Sequence, residues 1–204
     1  MSKVIQLETS ANSSLGYKRA RKRKSKERET EGQLNLFAQA EPNIIQLPSR
    51  FTPFEEALWL DEKEDPGAQE AYIKAIILED CIADANCNLG ILETRSGNII
   101  KAFAYFTECL KFEPRHLEAH YNLANLYFEQ KGYRVAKLHY EIAADIDPEF
   151  SNIYFNLALV YAMNEEFDDA LNALIKYKSL VSPDDGKKAD SLLTSLKKSL
   201  SEKN

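Results

Sequence analysis

A repeat with a period of 34 residues limits the folds open to this chain more than any other feature of its sequence. Asn-Leu pairs begin at Asn88, Asn122 and Asn156, so successive copies lie 34 residues apart. Alanines recur with the same period at Ala68, Ala102, Ala136 and Ala170. A repeat of this length is typical of a solenoid, in which each unit buries its apolar face by stacking on its neighbours.

Within each unit, the apolar residues have the spacing of helices. Leu123, Ala124 and Tyr127 would share one helical face, and so would Ala136 and Tyr140. Glycine and proline are scarce, with seven of each in 204 residues, which favours helices over turns. The sequence therefore predicts an all-α chain with two helices in each unit.

Two local features refine this prediction. The small residue that follows the Asn-Leu pair, Gly90 in the first copy, would let paired helices approach closely. Asp65 followed by Pro66 is typical of an N-cap and the first turn of a helix.

The repeated columns resemble the tetratricopeptide repeat family, whose pattern combines L-G-x-x-Y, A-x-x-x-F and a closing proline. The resemblance covers residues 51–183 and implies a right-handed helical solenoid of about four helix-turn-helix repeats. The first unit departs from the pattern, with Glu55 and Glu56 where Leu and Gly are expected. The predicted units are residues 51–82, 83–116, 117–150 and 151–183.

The residues after the last unit, 184–204, are predicted to form a capping helix and tail. Their apolar residues have helical spacing and would lie opposite a face rich in lysine. Such a helix would give the end of the solenoid one solvated face. The apolar stripe consists of Ala189, Leu192, Leu193, Leu196 and Leu200.

The resemblance implies a groove lined by the first helices of the units, in which the repeated asparagines form a ladder. A side-chain amide offers both a donor and an acceptor, so it can bind the backbone of an extended peptide. The alternative is that these asparagines are solvated or brace the neighbouring repeat. The candidate groove residues are Asn88, Asn122, Asn125, Asn156, Tyr121 and Phe155.

The ligand predicted for this groove is a protein or peptide segment. The lining is acidic and aromatic, and it lacks the Lys and Arg with which some family members hold a C-terminal carboxylate. A neutral or basic segment is therefore expected, and a C-terminal carboxylate ligand is not.

The first 50 residues differ in charge from the remainder. They contain ten Lys and Arg against five Glu, whereas residues 51–204 contain 16 basic and 27 acidic residues. Residues 18–28 hold eight basic residues in eleven, and with such a block residues 1–50 are predicted to form a disordered basic arm. This basic arm could bind nucleic acid, direct nuclear import, solubilise the chain, or occupy the acidic body of its own or another copy. The candidate nucleic-acid contacts are Lys18, Arg19, Arg21, Lys22, Arg23 and Lys24.

A short apolar motif, QLNLF, lies at residues 33–37 of the same arm. It resembles the linear motif by which many bacterial proteins bind the replication sliding clamp, through residues equivalent to Gln33, Leu34, Leu36 and Phe37. The alternative is a docking segment that packs against the first repeat.

The sequence contains no pattern that indicates an enzyme. It has no Gly-rich phosphate loop and no G-x-S-x-G motif, and the spacing of its three cysteines is not that of a metal site. His116 and His120 are four residues apart, but no nearby carboxylate completes a metal-binding pattern. We therefore predict neither catalysis nor a cofactor nor a metal.

The expected location is the cytoplasm, or the nucleus in an organism that has one. The sequence has no disulfide framework, no membrane-spanning apolar run and no secretory signal. The predicted function is a non-catalytic interaction scaffold. The alternative is a nucleic-acid-associated protein that acts through its arm, with docking on a sliding clamp. The oligomeric state is left open.

Overall fold

A computed structural model describes residues 16–21 and 51–203, and in this part of the chain all regular secondary structure is helical, without any strand. Eight helices form four consecutive pairs, which confirms the predicted all-α repeat fold. The pairs are α1 (Pro53–Glu62) with α2 (Ala68–Ile77), α3 (Ile82–Arg95) with α4 (Ile99–Phe112), α5 (Leu117–Glu129) with α6 (Tyr133–Ile146), and α7 (Ser151–Met163) with α8 (Phe167–Leu180). A short helix α9 (Pro183–Gly186) and a 3-10 turn (Lys187–Ala189) lead to the last helix, α10 (Asp190–Lys203).

The pairs stack in chain order. The second helix of each pair packs against the first helix of the next pair, and α3 also contacts α5 directly. At the end of the stack α10 packs on α8, and Ala189, Leu192 and Leu196 are buried there in the same apolar cluster as Leu174 and Tyr177. Each unit thus buries its apolar face against a neighbour, as expected for a solenoid.

Helix α1 begins with a capping box, which explains one of the two unusual glutamates of the first unit, Glu55. The Thr52 hydroxyl accepts a hydrogen bond from the Glu55 N–H at 3.3 Å, and the Glu55 carboxylate accepts one from the Thr52 N–H at 2.9 Å. These bonds satisfy two donors at the helix start that have no partner within the helix. Glu55 therefore stabilises α1 at a position where the family pattern has an apolar residue.

The predicted N-cap at Asp65 is wrong, because α2 begins at Ala68 with Gly67 as its cap. The Asp65 carboxylate instead accepts a hydrogen bond from the Gly67 N–H at 2.7 Å. Such a bond to the backbone two residues onward is an Asx turn, and it competes with capping for the same side chain.

Gly90 allows α3 and α4 to approach closely. A Cβ atom at this position would lie 2.6 Å from Cε1 of the buried Phe106 ring. A methyl group therefore cannot be accommodated unless Phe106 moves.

Within the described residues, the helices lack the combination of length and apolar character that a membrane span requires.

Candidate peptide-binding groove

Residues 16–21 of the basic arm lie along the first helices of the stack. The polar side chains that contact them include Asp61 on α1, Asn88 on α3, and Glu118, Asn122 and Asn125 on α5. We call the surface formed by these five residues the groove, and residues 16–21 the docked segment. The stacking of α3 against α5 brings these side chains from separate repeats to one surface.

Asn88 and Asn122 each bind the backbone of one residue of the docked segment through both ends of the side-chain amide. Asn88 Oδ1 accepts from Ala20 N–H at 2.9 Å, and its Nδ2 donates to Ala20 C=O at 3.1 Å. Asn122 does the same for Lys18, at 3.0 Å and 2.8 Å respectively. Each amide thus donates to and accepts from an extended backbone at the same time. That a partner protein is bound in the same way stays a prediction.

The geometry is that of a strand paired with side chains instead of another strand. In an extended chain, the N–H and C=O of one residue point to the same side, and those of the next residue point away. The two asparagines therefore bind alternate residues, Lys18 and Ala20, and leave Arg19 between them. Because Asn122 follows Asn88 in the chain, the docked segment runs antiparallel to the order of the repeats.

The ladder fits the segment only locally. Two strand residues advance roughly 6.8 Å, whereas neighbouring packed helices are roughly 8–10 Å apart. The next helix of this kind, α7, would thus fall out of step with the segment, and beyond Lys18 the contact with Gly16 C=O comes from Asn125 on α5 itself, at 3.5 Å.

Asn156, the third member of the ladder, makes contacts within the repeats. Its Nδ2 donates to the Tyr121 hydroxyl at 3.3 Å and to Asn125 Oδ1 at 3.2 Å. Asn125 Oδ1 also accepts from the buried Tyr140 hydroxyl. Asn156 Oδ1 is buried and has no hydrogen-bond partner among the described residues. The structure thus brings Asn156 next to Asn125, in the bracing position that was the alternative to a ligand contact.

The two predicted aromatic groove residues pack within the solenoid. Tyr121 is fully buried, and its ring lies 5.0 Å from that of Phe150. Phe155 is partly buried, with its ring 5.3 Å from that of Tyr177. Contact of either residue with a ligand stays a prediction.

Acidic side chains contact the cations of the docked segment. The Lys18 ammonium lies 3.7 Å from Glu118 Oε1 and 4.0 Å from the centre of the Phe150 ring. Arg21 is 3.8 Å from Glu62, and both of these side chains are largely exposed. Exposed pairs contribute little energy, so Arg21 adds less than Lys18, which is also held over an aromatic face.

Arg19 reaches the most deeply buried charge of the groove, the carboxylate of Asp61. Arg19 Nη2 lies 2.9 Å from Asp61 Oδ1, and it also donates to the Asp61 backbone C=O at 3.3 Å. The Asp61 side chain is only 2% exposed and receives two further partners, Tyr72 Oη at 3.3 Å and Arg95 Nη1 at 3.4 Å. A buried carboxylate is costly without such partners. The groove therefore has a site that accepts a guanidinium and would disfavour an acidic side chain.

Tyr17 and Ala20 fill the apolar part of the groove. Ala20 is 1% exposed and belongs to the same buried cluster as Cys87 and Ile91, against which Tyr17 packs. Burial, together with the charge and hydrogen bond of Glu129, raises the pKa of Tyr17 to about 12. Tyr17 is thus neutral at ordinary pH, and its hydroxyl can donate a hydrogen bond to Glu129. The enclosed space around Ala20 admits only a small side chain.

Of the predicted nucleic-acid contacts, Lys18, Arg19 and Arg21 are engaged in the groove in the way just described. Lys22, Arg23 and Lys24 lie outside the described residues, as do Gln33, Leu34, Leu36 and Phe37 of the motif resembling a clamp ligand. Nucleic-acid binding and clamp docking therefore stay predictions.

The two histidines considered for a metal make other contacts. His116 caps α5, with Nδ1 accepting from Ala119 N–H at 3.1 Å and Nε2 lying 3.0 Å from Asp84. His120 Nε2 lies 3.0 Å from Pro114 C=O, and its Nδ1 is 2.9 Å from Nδ1 of His139. Over the described part of the chain, no three His, Cys, Asp or Glu side chains are grouped to hold a metal.

Paired helices stacked through their apolar faces, with a backbone-binding surface on the first helices, define a helical-repeat protein. The tetratricopeptide repeat model matches residues 83–116 and 117–150. This match identifies two tetratricopeptide repeats in the chain, formed by α3 with α4 and by α5 with α6.

Several solved structures share this fold. The first TPR of Spaghetti (RPAP3), bound to the HSP90 peptide SRMEEVD, is 17% identical with a TM-score of 0.55, covering 59% of this chain and 94% of that one. MamA from residue 41 onward, of Desulfovibrio magneticus RS-1, is 21% identical with a TM-score of 0.56, covering 70% and 90%. A MamA RS-1 ArsTM double mutant is 20% identical with a TM-score of 0.56, covering 73% and 93%. No curated protein matches the sequence.

Proposed function

We propose that this protein is a non-catalytic interaction scaffold that holds an extended segment of a partner protein in the groove. The observation that carries the proposal is the paired hydrogen bonding of Asn88 and Asn122 to alternate backbone residues of the docked segment. Backbone bonds of this kind do not depend on the side chains of the ligand. The groove can therefore receive a segment from another protein in the same manner.

A similar fold with a bound peptide supports the proposal. The first TPR of Spaghetti (RPAP3) was solved with the peptide SRMEEVD, which is acidic. In the present groove, Asp61 and Glu118 contact cations, so a ligand of the opposite charge is expected here.

The alternative function, in which the basic arm binds nucleic acid, uses some of the same residues. Lys18 and Arg19 cannot neutralise phosphates while they contact Glu118 and Asp61. This competition favours the groove as the site of Lys18 and Arg19, and leaves the remaining basic residues of the arm as candidates for phosphate contacts.

Affinity capture from the native cell, with nuclease present, tests the proposal. The baits are the full chain, the double variant Asn88→Ala with Asn122→Ala, and Asn172→Ala as a control. Asn172 is an exposed asparagine on α8, a second helix, and it is far in sequence from the groove. We expect a partner that the full chain and the control retain and that the double variant loses.

A partner retained equally by all three baits would place recognition outside the groove and contradict the proposal. If the captured material disappears with nuclease instead, the alternative through the basic arm gains support. A bound partner can then be narrowed to one segment by hydrogen exchange, since amides that pair with Asn88 and Asn122 become protected at alternate positions.

A further inference from the structure

The docked segment occupies the surface that the proposed function assigns to a partner. It satisfies the amides of Asn88 and Asn122, neutralises part of the Asp61 charge and fills the apolar site with Ala20. A partner segment that uses the same asparagines cannot bind until residues 16–21 leave. The contacts of this resident segment therefore also describe what a partner must offer.

Four successive positions of the docked segment have different requirements. Tyr17 packs against apolar residues and faces Glu129, which favours an aromatic residue with a hydroxyl. Lys18 meets Glu118 and the face of Phe150, which suits a long cation. Arg19 meets the buried Asp61, and Ala20 is enclosed so completely that a larger side chain would clash.

The ligand is an internal segment and not a chain end. Residues precede Gly16 and follow Arg21, and the contacts go to backbone amides and carbonyls in mid-chain. In the described part of the chain, the cations outside the docked segment that contact groove carboxylates are Arg95, which is engaged with Asp61, and His116, which lies between Asp84 and Glu118. A terminal carboxylate would thus find no counter-charge that is not already used.

We propose, on the basis of the proposed function, that the groove selects internal basic segments of the pattern aromatic-Lys-Arg-small, and that residues 16–21 are a built-in competitor which a partner must displace. The docked segment has the same chemistry as the expected partner. It is joined to the repeats by the 29 residues between Arg21 and Phe51. The arm therefore sets a threshold, because only a partner that binds well or is abundant will replace it.

The size of this threshold follows from tethering. For a segment on a flexible tether, the effective concentration is on the order of 1 mM. If the free segment has a Kd of about 50 μM, self-occupancy weakens binding of the same peptide in trans by about twentyfold. Variants that prevent self-docking should recover this factor.

The test is fluorescence anisotropy with a labelled peptide of residues 14–23, which contains the docked segment. It is titrated with the full chain, with the full chain carrying Ala20→Trp, and with the full chain lacking residues 16–21. Because Ala20 belongs to the arm and not to a helix, neither change removes a residue from the solenoid. A peptide that itself carries Ala20→Trp is the matched control.

We expect the peptide to bind both altered chains at least tenfold more tightly than the unaltered chain, and the control peptide to bind none of them. Adding Asn88→Ala and Asn122→Ala to the Ala20→Trp chain should abolish binding. Equal affinity for altered and unaltered chains would overturn the role of competitor. Failure of the peptide to bind any chain would overturn the proposed ligand pattern.

These failures can be told apart from failure of the proposed function. A cellular partner that depends on Asn88 and Asn122 would uphold the groove even if the peptide results were negative. Light scattering measures whether the unaltered chain and the Ala20→Trp chain are monomers or dimers, which tests docking in a second copy of the chain. If the unaltered chain is a dimer and the Ala20→Trp chain a monomer, the segment docks in a second copy, and the built-in competitor is overturned.

Discussion

Replacement of Asn122 by alanine tests the backbone recognition directly. The substitution removes two hydrogen bonds, of 3.0 Å and 2.8 Å, to the N–H and C=O of Lys18. A hydrogen bond contributes about 1 kcal/mol net, so the docked segment should lose about 2 kcal/mol of its attachment. At 1.4 kcal/mol for each factor of ten, the docked population relative to the free one falls about thirtyfold.

Amide hydrogen exchange measured by NMR on the full chain gives this ratio residue by residue. In the unaltered protein the amides of Lys18 and Ala20 should be protected, whereas the amide of Arg19 points away from the asparagines and should exchange faster. In the Asn122→Ala chain, protection should fall about thirtyfold at Lys18. It should fall by a similar factor at Ala20, because the segment leaves as a unit.

The control is Asn172→Ala, which should leave both protected amides unchanged. Uniform protection across residues 17–20 would contradict pairing with alternate residues. A loss confined to Lys18, with Ala20 still protected, would show that Asn88 holds its end independently and that the two rungs do not act together. Unchanged protection at both positions would refute the reasoning.

Three further outcomes are expected. Gly90→Ala should lower the free energy of unfolding, measured in urea, by about 1–2 kcal/mol, because the clash with Phe106 outweighs the gain in helix propensity. Unchanged stability would mean that the Phe106 ring moves aside at no cost. Burial and the neighbouring His120 lower the pKa of His139 to about 4, and burial also lowers that of His120. Unfolded histidine binds protons near pH 6.5, so the contribution of the neutral pair His120 and His139 to stability is full above this pH. That contribution should decline by about 1–2 kcal/mol, after allowance for solvent screening, as the pH falls toward 4. His139→Phe should flatten this decline in urea titrations at each pH. Raising NaCl from about 0.05 M to about 0.5 M should reduce exchange protection at Ala20 by less than tenfold. Salt screens the exposed ion pairs but not the hydrogen bonds of the asparagine amides. A much steeper loss of protection would indicate that charge dominates the docking.

The repeat fold was predictable because its information is periodic. Each unit repeats the same small and apolar columns, and helical spacing assigns those columns to buried faces without knowledge of distant contacts. The start of α2 was less predictable, because Asp65 can either cap a helix or form an Asx turn. The local sequence does not distinguish an N-cap from an Asx turn, because in either one the Asp65 carboxylate accepts a hydrogen bond from a backbone N–H.

The amide ladder was predictable only in part, for a related reason. Asn88, Asn122 and Asn156 occupy the same column of the repeat, but only the first two contact the docked segment. The period of the helices and the period of an extended chain differ, so equivalent columns need not meet equivalent residues of a ligand. Asp61 has no counterpart in a repeated column, and nothing in the sequence marked it as buried or as a partner of Arg19.

The position of the arm depends on the residues that interrupt its basic run. Between residues 18 and 28 only Ala20 and Ser25 have small side chains. Every other residue from 18 to 28 is Lys, Arg or Glu. A register that places one of them in the enclosed site of Ala20 would bury a long charged side chain there. The register with Ser25 in this site would put Lys22 where Tyr17 packs against apolar residues. Charge therefore attracts the whole block to the acidic repeats, but the pair Tyr17 and Ala20 selects the six residues that dock.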